Sequence, residues 1–410
     1  MKKIKLFYRD FLEWEEIGTH YMDHVTHLPE GAVEVLEVNR FSVPEVKFRA
    51  FLDGTMKLYR VARATHLGTP LFVASISCAL LERGRDKYLT NTHYSRVLNL
   101  LIFPFERFVG YVDRILSQSQ IGKEIRRLIE DLQFHIKTTV YTLGGKVYTE
   151  EEFIEKPEEV LERSGNWIIC DTSQKGIQKE IAGSVTEREL IKETDLLNPQ
   201  RVRDAARARA RYFMGLLEFF CAYSYLKEKP QNYLMVDGLF YPYRKVGGLF
   251  KITWEEYTQK IGKVVGFIKH PRDLPSEILP KIPFLRENEC FHWIGKPSEA
   301  EEDVTMKVES VKEPGGRDRF RFALLRFRTS GKGFYPTPVG IVKLQISPEH
   351  EEIKKIMESV LYEKLPLPTD RRRFYNEPYP IEVAEKIAKA FLPSEERIVG
   401  FIYSILGGIE

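Results

Sequence analysis

PQRVRDAARARARYFMGLLEFFCAYSYLKEKPQNYLMVDG, residues Pro199–Gly238, reads as one long helix that feeds directly into a short strand. The helix is expected from about Pro199 to Lys229. Proline suits a first helical turn, whose N–H groups have no acceptor, and Pro230 cannot continue the hydrogen-bond ladder. The first half is basic and the second apolar, and Asn232–Gly238 then runs apolar until Asp237-Gly238. A helix running straight into a buried strand is the mark of an α/β chain.

Upstream, VKFRAFLDG (Val46–Gly54) alternates Val46, Phe48, Ala50 and Leu52 and stops at the same dipeptide, Asp53-Gly54. Further strands are expected at Lys57–Ala64 and Pro70–Leu81, which together predict an antiparallel meander. Residues 1–45 are expected to be a mainly helical arm, with Phe7, Phe11, Leu12 and Trp14 set among charges. Residues of about 82–200 loosen into amphipathic helices and polar connections, an expected insertion or helical subdomain with a short apolar WIIC at Trp167–Cys170. Downstream, a helix is expected around Trp254–Lys263 and strands at Val264–His270, Arg319–Arg328 and Val339–Ile346. Helices follow at about Glu349–Tyr362 and Ile381–Phe391. One elaborated domain over residues 46–410 is preferred to two.

A hydrophobic fraction of 43% with 30% charged residues describes a soluble globular protein. No apolar run nears the about 20 residues a membrane span needs. The basic start MKKIKLFYRDFLEWEE carries Asp10, Glu13, Glu15 and Glu16 where a signal peptide needs apolar residues, so a cytoplasmic protein is expected. Cys78, Cys170, Cys221 and Cys290 form no C-x-x-C pair and read as buried thiols. A net charge of +3 advertises no polyanion, so nucleic-acid binding has to come from local sites.

Two apolar strands that each end in Asp-Gly place a carboxylate where a buried strand emerges, and carboxylates at neighbouring strand ends can converge on one cation. Glycine after each aspartate lets a ligand approach the backbone, although Asp-Gly is also an ordinary turn. Glu218 interrupts the apolar run FMGLLEFFCAY, where an uncompensated carboxylate costs several kcal/mol. Its partner is either an arginine such as Arg211, two turns earlier, or a metal ion. Three hard oxygen ligands suit Mg²⁺ or Mn²⁺, and two such ions hydrolyse phosphodiesters. Lys269, at the end of VVGFIK, stands either in solvent or beside a phosphate.

FLDGT at Phe51–Thr55, the Glu218 helix before MVDG, VVGFIK, and EPYPIEVAEKIAKA at Glu377–Ala390 occur in an order that resembles the NurA-type nucleases. That resemblance implies a ribonuclease-H-like mixed sheet with flanking helices and a homodimer. It also implies work on DNA ends beside a HerA-type hexameric ATPase, in end resection and repair. It makes Asp53, Glu218 and Asp237 the metal carboxylates, Lys269 an active-site lysine and Mn²⁺ the favoured ion. Thr55 stands where the family usually has serine, and Glu385, after Ala384, where it presents histidine. Glu385 could still ligate metal as a carboxylate.

Arg201, Arg203, Arg207, Arg209 and Arg211 form either a phosphate track or a solvated helix face. His20, His24 and His27 share a helical face suited to zinc or simply to solvent. No G-x-x-x-x-G-K-[ST] loop occurs, so ATP energy would come from a partner. Two alternatives stay open: a silent scaffold docking an ATPase ring, and a ribonuclease-H-like enzyme acting on RNA.

Overall fold

Apolar, β-branched stretches set the spine of the computed structural model, a mixed sheet with helices on both faces. The residues it describes are 7–15, 34–37, 44–64, 67–116, 123–124, 126–127, 145–177, 190–241, 243–271, 274, 277–286, 289–295, 320–328, 340–347, 353–369, 376–394, 396–398 and 400–401. The strands are β1 (Phe7–Glu15), β2 (Glu34–Glu37), β3 (Phe48–Ala64), β4 (Pro70–Arg83), β5 (Leu89–Asn91), β6 (Arg96–Phe103) and β7 (Val147–Thr149). They continue with β8 (Asn166–Asp171), β9 (Tyr233–Asp237), β10 (Val264–Ile268), β11 (Glu289–Gly295), β12 (Phe320–Arg326) and β13 (Ile341–Ile346). Eleven of them run in the order β2-β11-β12-β13-β10-β9-β3-β4-β6-β8-β7, with β1 on β3 and β5 on β4.

At the centre, β6, β4 and β3 form an antiparallel meander, and β9 and β10 continue it in parallel on the other side of β3. The parallel pairings need crossovers, supplied by the helices Pro199–Glu228 and Trp254–Ile261. Asn198 caps the longer helix by accepting from the Arg201 N–H, with Pro199 in its first turn.

The alternation along β3, shifted by a bulge between Phe48 and Ala50, sorts two cores and takes Phe48 off the face it was expected to share with Ala50 and Leu52. Ala50 and Leu52 pack with Leu216, Leu217 and Phe220 of the long helix. Phe48 and Phe51 pack on the other face with Ile356, Met357, Val360 and Ile381 of the C-terminal helices Ile353–Tyr362 and Tyr379–Phe391. Each of the leucine, isoleucine, valine, methionine and phenylalanine side chains among them, when buried, contributes about 2 kcal/mol.

Several expectations change. The meander is β3, β4 and β6, because Val46–Gly54 and Lys57–Ala64 belong to one 17-residue strand that runs through Asp53-Gly54 without turning. Its pairing with β4 is continuous there, from Leu52↔Leu80 to Thr55↔Ser77. The arm expected to be helical forms strands instead over Phe7–Glu15 and Glu34–Glu37, which pair with β3 and β11. Within the expected helical subdomain, Arg96–Phe103 and Asn166–Asp171 join the main sheet as parallel neighbours. His20, His24 and His27 lie outside the described residues.

Arg209 also departs from the phosphate track. With 1% of its surface exposed, it faces the sheet and clasps Glu150 at 2.5 and 2.6 Å, while donating to the Gln174 carbonyl at 2.7 Å. Burial keeps the Glu150 carboxyl above its ordinary range even with that guanidinium beside it. Arg209→Met should therefore destabilise by about 3 kcal/mol, because it strands a buried carboxylate. Adding Glu150→Gln should recover much of that loss in urea melts, and a strictly additive double variant would show that the pair is not coupled.

Candidate metal and phosphate site

Asp53 and Asp237 lie on adjacent parallel strands, one position past the Leu52↔Val236 pair. By alternation with Phe51 and Met235, both carboxylates belong to the face covered by the C-terminal helices. Lys269, one residue past β10, follows Val265 and Phe267 on that same face. Its ammonium lies 2.8 Å from Asp237 Oδ2 and 2.6 Å from Glu377 Oε1.

Glu218 arrives from the opposite side. Its helix packs on β3, β4 and β6, and its carboxylate accepts the Gly54 N–H. A Cβ at Gly54 would stand 2.2 Å from Glu218 Oε1 and 2.9 Å from its Cδ, so the carboxyl occupies the space of the missing side chain.

Sheet pairing explains how the two faces communicate. On the edge of β3 away from β4, pairing with β9 ends at Leu52↔Val236, and pairing with β1 begins at Leu58↔Glu15. Among the described residues, Asp53–Lys57 has no partner strand on that edge, an interruption in the pairing, or notch, bordered by Asp53 on one face and Glu218 on the other. Gly238, at φ +80°, turns the chain just past Asp237.

Electrostatics single these acids out. Burial raises the Asp53 carboxyl well above the ordinary range; Asp237, Glu385 and Glu218 add to the rise, and Lys269 opposes it. Burial and Asp237 push Glu218 up to about 8, although the Gly54 N–H favours its ionised form. For Lys269, burial alone would depress the ammonium, but Asp237, Asp53 and Glu377 outweigh it and hold it protonated. Asp53 Oδ2 and Asp237 Oδ1 are buried without a hydrogen-bond partner. Buried acceptor-only oxygens of this kind are what a hard cation would satisfy.

Those oxygens fit a divalent ion in donor type and in charge. Among the described residues, however, no group of three or more acids, histidines or cysteines is already gathered closely enough to hold one. Ligation by Asp53, Asp237 and Glu218 together therefore requires their side chains to close across the notch, with Lys269 yielding its contact to Asp237.

The other expected residues are placed as follows. Glu385 is 17% exposed, pairs with Lys389 at 2.7 Å, and reaches the cluster through its field on Asp53. Arg203 and Arg207 are partly exposed and Arg211 is exposed. Their spacing of four and four residues, then seven to Glu218, draws one stripe along the helix toward the notch. Arg211 is thus a member of that stripe on the solvent side, while the described partner of the Glu218 carboxylate is the Gly54 N–H.

Two residues were missed. Glu377 is fully buried and holds Lys269 from 108 positions away, a separation no local pattern bridges. Tyr241, just past β9, packs against Gly215, where a Cβ would lie 2.6 Å from its hydroxyl, and burial, then Tyr212 and Glu218, raise its phenol.

Gly54→Ala tests the Glu218 position. The added methyl must displace the carboxyl, which should reduce any metal-dependent activity of the site about 100-fold. The melting temperature should stay within a few degrees, since extended alanine is unstrained. Full activity in that variant would remove Glu218 from the site.

No family model matches the chain, and no curated protein matches it. Among solved structures, the crystal structure of the NurA nuclease from Sulfolobus solfataricus aligns over 90% of this chain and 88% of that one, at 12% identity and a TM-score of 0.31. At that score the two backbones agree too loosely to transfer a residue's role.

Proposed function

We propose that the chain is a divalent-metal-dependent nuclease acting on DNA, built on a ribonuclease-H-like core. The observation that carries this reading is the pair of buried, unpartnered oxygens, Asp53 Oδ2 and Asp237 Oδ1, at adjoining parallel strands. Support for the core comes from its order: an antiparallel meander, β6-β4-β3, extended by the parallel strands β9 and β10.

In this reading Asp53 and Asp237 would hold two Mn²⁺ or Mg²⁺ ions, with Glu218 completing the shell from the opposite face and Glu385 adding its field at Asp53.

 When bound, two such ions would supply an activated water and a countercharge for the leaving oxygen. The chain's own groups do the rest. Lys269, kept protonated among three carboxylates, offers positive charge to a phosphate at the notch. Arg203, Arg207 and Arg211 guide a strand along the helix toward Glu218. Lacking a nucleotide-binding loop, the enzyme would take DNA from a HerA-like hexameric ATPase, as a homodimer, during end resection and repair.

Matched single-stranded DNA and RNA with Mn²⁺ test the polymer assignment. Degradation of DNA with RNA spared is expected, and the reverse preference would favour the RNA-directed reading. The scaffold reading gains from one observation, that the acids are not yet gathered around a cation position. Calorimetry with Mn²⁺ separates the two, because a scaffold need not bind the ion.

A further inference from the structure

Glu377 has no place in the metal shell, yet it is fully buried and makes the shorter of the two ion pairs to Lys269, 2.6 Å against 2.8 Å for Asp237. The chain is built to hold it there. Its backbone carbonyl accepts from Arg328 Nη1 at 2.8 Å, and the same guanidinium donates from Nη2 to the Lys364 carbonyl at 2.6 Å. Its neighbour Asn376 donates from Nδ2 to the Lys269 carbonyl at 3.1 Å and accepts the Gly340 N–H at 2.9 Å. The segment entering the C-terminal helix is thus tied to the ends of β10, β12 and β13 around one lysine.

We propose that Glu377 is a positioning residue that holds the Lys269 ammonium back from Asp237, so that the carboxylate is released to a divalent ion while the lysine stays at the notch to meet a phosphate. The proposal rests on the metal-dependent reading above. Lys269 is a tethered cation that competes for Asp237, and it can yield that contact cheaply only because a second buried carboxylate already shares its charge. Without Glu377, Asp237 would be the one acid left in ion-pair contact with Lys269 among the described residues, with Asp53 acting only through its field, and the ammonium would close onto Asp237. Cation binding would then have to break a buried ion pair with nothing to replace it.

The test is a double-variant cycle on Mn²⁺ affinity, read by calorimetry on the full chain without DNA. Glu377→Gln should weaken Mn²⁺ about tenfold in the parent chain, whereas in Lys269→Met the same change should alter affinity less than about twofold. An equal loss in both backgrounds would mean that Glu377 acts only as a distant negative charge, and no loss in the parent would mean that it does not act on the site; either overturns the proposal. Glu377→Asp, which keeps the charge but withdraws it by a methylene, reads the same quantity if the glutamine variant does not fold, with a smaller loss expected and none overturning the proposal. A parent chain that binds no Mn²⁺ brings down the metal-dependent reading itself, an outcome distinct from binding that ignores Glu377.

Discussion

Asp53→Asn is expected to abolish Mn²⁺-dependent degradation of single-stranded DNA, by about three orders of magnitude or more, while the melting temperature of the metal-free protein stays the same or rises. The activity loss follows from removing one anionic oxygen donor from a two-carboxylate core, worth about 4 kcal/mol of transition-state stabilisation. The stability gain follows from the same burial that makes Asp53 useful. Its carboxyl lies 4% exposed, and burial with the fields of Asp237, Glu385 and Glu218 raises it well above the ordinary range. A group raised in the folded state contributes stability that is present at low pH and lost as pH climbs through its folded value. Asparagine is never ionised and escapes that loss. Cleavage assays paired with thermal melts check both halves. Undiminished cleavage removes Asp53 from the chemistry, and a large fall in melting temperature would mean that the residue serves the fold instead.

Glu218→Gln should behave as a second such trade. Cleavage is expected to fall about 1000-fold, by the same conversion of a lost anionic ligand into rate. The sign of the stability change depends on pH. Unfolded, the carboxyl titrates near 4.5, and folded it is pushed up to about 8 by burial and Asp237. Below about pH 4.5 both states keep the proton and the variant should match the parent. Between about 4.5 and 8 the parent progressively loses stability, so by pH 8 the variant should melt several degrees higher in the absence of metal. Melting curves across that range check this, and a variant equally displaced at pH 4 and pH 8 would show that Glu218 does not titrate in a buried site. Mn²⁺ should reverse the order at pH 8, since the ion stabilises only a protein that can bind it.

Much of the central fold was legible because its signals are local. The Pro199–Glu228 helix is bracketed by two prolines, and β9 and β10 are short apolar runs that begin within a few residues of a helix end. The Asp-Gly dipeptide misled at one of its two places. At Asp237 it does end a strand, with Gly238 at φ +80°. At Asp53 the strand runs on, and the glycine serves to admit Glu218 rather than to turn the chain. Local sequence is the same in both, and the difference lies in a side chain 164 positions later that only the tertiary structure supplies.

The arginine run shows a signal that was present and unread. Val202, Ala206, Arg209, Phe213 and Leu217 recur at three- and four-residue steps and are all buried, so the same periodicity that sets the core face assigns Arg209 to it. Arg203, Arg207 and Arg211 fall on the other side of that count and remain at the surface or partly so. Glu377 offers no comparable clue. It sits before a helix like many acids, and its value depends on Lys269 being brought beside it by a parallel strand pairing. In the strand Phe7–Glu15, FYRDFLEWE, Arg9, Asp10, Glu13 and Glu15 interrupt the apolar residues, which is why it read as a helical arm.

Anomalous scattering from a crystal soaked in Mn²⁺ tests the central claim most directly. A peak within ligand distance of Asp53 Oδ2 and Asp237 Oδ1, with Glu218 turned toward it across the notch and Lys269 moved from Asp237 onto Glu377, is the expected result. A well-ordered soaked crystal with no peak there, or with Mn²⁺ bound only at surface acids, would contradict it.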